Sequence, residues 1–307
     1  LFLCPVSYAF GRLGDDRCQC YTGYMKKTFI LGILLVSILS IGLLPATVFA
    51  GKPVGGGAAP TADMKGYDVS YPQCGKSLPT DHYFGIVGVN GGTATTTNPC
   101  FMQQLVWANS AKTGSAQPKI QLYVNTANPA QDSAYGWSSW PTSSTANNPY
   151  GVCSGVRTND LACSWQYGWN RSVEAESYFV SQAQLAGIDP NTSSYTWWLD
   201  VETMNSWQSG SAAALARNTA AIEGFGAYYQ SKGAAIGLYS TASQWTQITG
   251  NVMGPKTNLN GLPNWRPSGS TLANAKKNCS VAPLTAGGYI SLTQYVVKNL
   301  DNNYSCI

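Results

Sequence analysis

Charge is scarce in this 307-residue chain: 10% of residues are charged, against 44% hydrophobic and 12% aromatic. The formal net charge is only +4 and its basic residues are scattered, which excludes a nucleic-acid groove. A single histidine, His82, excludes a His₃ or His₂-carboxylate zinc site. Without a G-x-S-x-G elbow, a Ser-His-Asp triad has no anchor either. No C-x-x-C pair and no Gly-rich phosphate loop ahead of a helix can be found. No metal and no cofactor are therefore expected. What is plentiful is aromatic: 10 Trp, 18 Tyr and 8 Phe exclude intrinsic disorder, and the length allows a large buried core.

The first Met is Met25, and residues 1–24 are expected to be sequence upstream of the true start. Met25-Lys26-Lys27, an apolar run from Phe29 to Leu44 and the small-residue end Val48-Phe49-Ala50 form a signal peptide over 25–50. The run is shorter than the ~20 residues needed to span a bilayer. Residues 51–62 are Gly/Ala/Pro-rich and read as a flexible leader, so 63–307 is the working domain. An exported chain without stable membrane association follows. Setting aside Arg12, Arg17, Lys26, Lys27, Asp15 and Asp16 lowers the net charge to about +2.

Six cysteines remain after residue 50: Cys74, Cys100, Cys153, Cys163, Cys279 and Cys306. An even number in an exported chain implies three disulfides, with 15 connectivities possible. Proximity suggests Cys74–Cys100, Cys153–Cys163 and Cys279–Cys306, of which locality strongly favours only the middle pair.

Short β-branched and aromatic runs alternate with helical patterns. Strands are expected at Gly66–Ser70, Phe84–Asn90, Ile120–Asn125, Tyr195–Glu202, Ala235–Tyr239, near Trp265, and at Tyr289–Tyr295. One helix is expected from an Asn170 cap to Gly187, another over Ser211–Ser231, and a short one after Asn98-Pro99. Pro129–Cys163 reads as a cystine-stapled loop insertion. The alternation predicts an α/β fold, a TIM-barrel-like parallel (β/α)8 barrel.

Chemistry concentrates in Trp198, Asp200 and Glu202, which share one face of a strand. Adjacent carboxylates repel, so one keeps its proton, as a general acid beside an ionised partner must. Loop capping or a structural ion would use the same pair differently. Asp68 and Asp301 lie near the ends of the first and last predicted segments, which a closed barrel brings together. His82, just before a strand, reads as a surface loop residue.

Gly66-Tyr67-Asp68-Val69-Ser70 with Gln73 resembles the opening G-[IY]-D-V-S-x-x-Q of the family 25 glycoside hydrolases, the lysozyme-type muramidases. Leu199-Asp200-Val201-Glu202 is similar to their D-x-E strand, Gly237-Leu238-Tyr239-Ser240 to a later strand, and Leu292–Tyr295 with Asp301-Asn302-Asn303 to their closing segment. The resemblance implies cleavage of the β-1,4 bond between N-acetylmuramic acid and N-acetylglucosamine. It makes Glu202 the proton donor and Asp200 its partner, as nucleophile or as the group orienting the N-acetyl, with Asp68 and Asp301 lining the cleft. Trp198, Tyr239, Tyr295 and Gln294 become sugar contacts.

The chain departs from that pattern at Gly88–Thr93, which carries no charge where the muramidases usually have K-[AS]-[TS]-E, and at Leu292, which replaces the closing Trp. The implied protein is a secreted, cell-wall-associated monomer acting on a polysaccharide. Alternatives are a carbohydrate-binding barrel without turnover, or a disulfide-stapled envelope scaffold.

Overall fold

A computed structural model describes residues 65–130, 139–156, 158–254 and 257–307. The upstream segment, signal peptide and leader expected before residue 63 lie outside the described residues.

Eight strands close a barrel in sequence order: β1 (Lys65–Val69), β2 (Phe84–Gly88), β3 (Ile120–Asn125), β4 (Thr196–Asp200), β5 (Ala235–Tyr239), β6 (Pro263–Pro267), β7 (Tyr289–Val297) and β8 (Leu300–Ser305). Five α-helices among the described residues connect them: α1 (Phe101–Asn109), α2 (Leu161–Ala186), α3 (Ala212–Ser231), α4 (Ala242–Thr249) and α5 (Leu272–Asn278). The TIM-like barrel stands, with one correction. Strands β1 to β7 run parallel, but β8 is antiparallel to both β7 and β1. The two-residue turn Lys298-Asn299, with φ of 51° and 60°, folds β8 straight back on β7. Positive φ at both central residues is the hairpin turn whose twist matches the flanking strands. No crossover helix is then needed.

Other boundaries moved too. α2 begins nine residues before Asn170, at an Asp160 cap whose carboxylate accepts from the Cys163 backbone N–H. That tethered start outweighs the cap signal of Asn170, which lies inside the helix. The left-handed Gly187 does end it. Helices α4 and α5, too short for a clear periodic signal, were not expected. The three disulfides pair as proximity suggested: Cys74–Cys100, Cys153–Cys163 and Cys279–Cys306. His82 is a correction: it is wholly buried, its ring stacked 4.4 Å from that of Trp107.

Alternation along each strand builds two apolar bodies. Outward residues such as Leu122, Trp197, Leu199 and Leu238 meet the helices. There Trp197 stacks on Tyr229 of α3 at 4.2 Å and meets Phe179 of α2 edge-on. Inward residues Phe84, Ile86, Trp198, Trp265 and Leu292 fill the middle of the barrel. They fit because Gly66 and Gly237 leave room for rings: a Cβ on Gly66 would meet Phe84 at 2.1 Å, and one on Gly237 would meet Trp198 at 2.3 Å.

Helices α2 and α3 approach through a reciprocal glycine contact. A Cβ on Gly168 would lie 2.0 Å from the Ala221 carbonyl oxygen, and one on Gly224 1.9 Å from that of Trp165. Backbone cannot yield as a side-chain tip can. Gly168→Ala or Gly224→Ala is therefore expected to destabilise the domain by about 1–3 kcal/mol or more, read as a lower denaturation midpoint. Unchanged midpoints in both variants would contradict this packing.

Candidate active site

Because successive side chains alternate, the last inward residues of the parallel strands all surface at one end of the barrel. Asp68 comes from β1, Asn125 from β3, Asp200 from β4, Tyr239 from β5 and Gln294 from β7, and Glu202 follows two residues after β4 ends. The reversed β8 places its second residue, Asp301, at the same end, directly opposite Asp68 in the ladder. These side chains line one cleft of about 370 Å³, together with Tyr71, Tyr123, Met204, Asn205 and Trp265. Among the described residues no Lys, Arg or His lines it.

The two innermost acids are held differently. Asp68, 7% exposed, accepts hydrogen bonds from Gln294 Nε2 at 3.0 and 3.1 Å and from Asn303 Nδ2 at 2.7 Å. Those amides are themselves anchored: the Tyr239 hydroxyl donates to Gln294 Oε1, and Trp265 Nε1 donates to Asn303 Oδ1. Burial, and then the neighbouring Asp301, push Asp68 up to about 8, against the amide bonds that favour its charged form. Asp200, 5% exposed, accepts from Asn125 Nδ2 at 2.8 Å through Oδ2. Its Oδ1 is buried without a hydrogen-bond partner. Burial and then Glu202 raise it well above the ordinary carboxylate range.

Glu202 and Asp301 are more open. Burial and then the charge of Asp301 raise Glu202, and burial raises Asp301. The Glu202 backbone is fixed by a turn: its carbonyl accepts from Asn205 N–H and from Trp207 Nε1 at 2.8 Å. Four carboxyl groups in one cleft without a cation must share protons near neutrality. Among the described residues no group of three or more His, Cys, Asp or Glu is arranged to hold a metal ion.

Six of the eight residues expected at the site, Asp68, Asp200, Glu202, Asp301, Tyr239 and Gln294, meet in the cleft. Two do not. Trp198 is 1% exposed, one layer deeper, with its Nε1 donating to Gln121 Oε1 and its ring edge-on to Trp265. The face it shares with Asp200 leads down into the barrel, so no sugar reaches it. Tyr295 is buried on the face of β7 opposite Gln294, the side on which Thr293 bonds the Ala275 carbonyl of α5.

Several cleft residues escaped the sequence reading, Asn125 and Tyr71 among them. Asn125, register partner of Asp200, ends an apolar strand as Asp200 does, and that position was the available signal. Tyr71 follows the first strand motif and is 46% exposed at the rim. A Cβ on Gly92 would meet its ring at 2.8 Å, so the uncharged Gly-rich loop packs flat against Tyr71.

The sequence model of a family described as Lysozyme-like protein 1 matches residues 172–270, about a third of the chain. That span includes Asp200, Glu202 and Tyr239 but neither Asp68 nor Asp301. Among solved structures the chain is similar to a muramidase from Trichobolus zukalii, at 17% identity over 79% of this chain and 93% of the other, with a TM-score of 0.42. It is also similar to a family GH25 lysozyme from Aspergillus fumigatus, at 15% identity over 79% and 93%, TM-score 0.45. The spore cortex lytic enzyme SleM from Clostridium perfringens gives 13% identity over 79% and 67%, TM-score 0.45. No curated protein matches the chain.

The shared protons have a consequence for stability. Unfolded, Asp68 titrates near 3.8; folded, at about 8. Between these values the folded state holds more protons than the unfolded one, so stability falls as pH rises through that window. One retained proton is worth about 1.4 kcal/mol per pH unit. The Tm is expected to drop by several degrees between pH 5 and 8 and to drop less in Asp68→Asn. A Tm rising over that range would contradict the assignment.

Proposed function

We propose that this protein is a secreted, lysozyme-type glycosidase that hydrolyses the β-1,4 bond between N-acetylmuramic acid and N-acetylglucosamine in cell-wall glycan. The observation that carries this reading is the convergence of Asp68, Asp200, Glu202 and Asp301 in one cleft at the C-terminal ends of the parallel strands, where no described Lys, Arg or His lies beside them. Three disulfides support export, and no described helix is long and apolar enough to cross a membrane. The family match and the order of the motifs point the same way. The protein acts as a monomer without cofactor or metal.

Glu202 is the general acid. Its raised pKa keeps a proton at the accessible wall of the cleft, where it passes to the departing glycosidic oxygen. Asp200 is the buried partner, acting as nucleophile or orienting the substrate's N-acetyl group. Its unpartnered Oδ1 lacks a donor, which an acetamido N–H would supply. Such a bond favours ionised Asp200 and leaves the shared proton on Glu202. Asp301 supplies a negative field to the oxocarbenium-like transition state, while Asp68, raised to about 8, lines the cleft in its protonated form near neutral pH. Tyr71, open at the rim, offers its ring face to a pyranose.

A carbohydrate-binding barrel without turnover is the second reading, favoured by the uncharged Gly88–Thr93 loop beside the cleft. Reducing-sugar release from purified peptidoglycan separates the two. The protein is expected to release sugar, and Glu202→Gln to lose about 10²–10⁴-fold in rate. Wall binding without release would establish the binder instead.

Asp301→Asn removes the charge that raises Glu202. The alkaline limb of the pH–rate profile is then expected to move to lower pH by up to about one unit. A limb that stays in place, or moves up, would take the general-acid role away from Glu202. Tyr71→Ala is expected to raise KM about tenfold with little change in kcat, as loss of a contact made equally in ground and transition states does.

A further inference from the structure

Beside the acid cleft lies a second hollow, of about 200 Å³, formed by the loops after β2, β3 and β4. Met204 and Asn205 line both spaces, so the two adjoin. Its walls are of two kinds. Thr93, Thr95 and Ser206 are hydroxyl residues, the first two bonded to each other through their hydroxyls, while Ala127, Pro129 and the 91%-exposed Met204 are apolar. Among the described residues no charged side chain lines it.

The loops that build the hollow are fixed by their own hydrogen bonds. Asn90 Nδ2 donates to the Thr96 carbonyl, and Thr96 N–H to the Thr93 carbonyl, which closes the β2 loop. The Asn128 N–H donates to the Ser206 carbonyl at 2.8 Å and ties the β3 loop to the β4 loop. These bonds hold the described parts of the loops in place, so a ligand entering loses little to ordering them. Hydroxyls beside a small apolar patch, without charge, match a pyranose, which has C–H faces and hydroxyl edges.

We propose that this hollow is a further glycan subsite, occupied by an uncharged N-acetylhexosamine residue of the same chain whose bond lies at Glu202. This rests on the glycosidase reading and deepens it. A chain leaving the acid cleft past Met204 enters the hollow, so affinity grows with chain length until it is filled. The uncharged loop that departs from the muramidase pattern becomes a wall of this subsite.

The test is calorimetric titration of the full chain carrying Glu202→Gln, which binds without cutting, with the tri- and hexasaccharide of N-acetylglucosamine. The hexasaccharide is expected to bind about tenfold tighter than the trisaccharide. Thr95→Trp and Ser206→Trp, each added to that background, fill the hollow from two different loops. Either is expected to bring the ratio to within about twofold. Equal Tm values check that the variants fold, and if one fails the other decides. A ratio that persists in a folded Trp variant, or no length dependence in the parent, overturns the subsite and leaves the glycosidase reading in place. Failure of both oligosaccharides to bind overturns both.

Discussion

The mouth of this barrel depends on how β1 and β8 pair. Their antiparallel ladder sets Asp68 opposite Asp301 and Gly66 opposite Asn303. It thereby brings together two carboxyl groups and the amide that holds one of them, Asn303, whose Nδ2 binds Asp68. A parallel last strand would have put residue 301, near the start of that strand, at the opposite end of the barrel. The two-residue turn at Lys298-Asn299 thus decides more than barrel closure: it delivers an acid to the cleft.

Around that pairing the barrel is stratified. The far end is closed by amides and hydroxyls, with Gln117 bonded to Ser291 and Ser305 and accepting from Gln121. The middle is aromatic, packed from Phe84, Trp198 and Trp265. Only the near end is acidic. The aromatic layer separates the carboxyl groups from water below, and this desolvation is the largest cause of every raised pKa in the cleft. The amides of Asn125, Gln294 and Asn303 then orient Asp68 and Asp200 without neutralising them, as a cation would. A site so built keeps protons available near neutral pH.

The loops that frame the cleft are secured from outside. Cys74–Cys100 joins the turn after β1 to the start of α1, and Cys153–Cys163 ties the long loop after β3 to α2. The glycine contact between α2 and α3 locks the helices that follow β3 and β4, and so fixes the strands that end in Asn125 and Asp200. Preorganised loops suit a rigid, polar polymer, since neither partner then spends much conformational entropy on binding.

The sequence by itself determined the α/β barrel, because strand-length apolar runs alternating with amphipathic helices leave few other ways to bury both. It also determined the four acids, since Asp200 and Glu202 share a strand face and Asp68 and Asp301 stand near the chain segments that a barrel must join. Local spacing carried the Cys153–Cys163 pair as well, whereas Cys74–Cys100 and Cys279–Cys306 needed the barrel to single them out. What only the tertiary structure decided was depth and direction. Strand alternation gives Trp198 the same face as Asp200 but not its distance from the mouth, so a core ring resembled a sugar contact. Tyr295 resembled another because adjacency to Gln294 hides their opposite faces. His82 reads as a surface residue because the Trp107 ring that covers it lies 25 residues further along, on a helix. The direction of β8, the unpartnered oxygen of Asp200 and the hollow beside Met204 each arise from residues far apart in the chain, which local pattern cannot report.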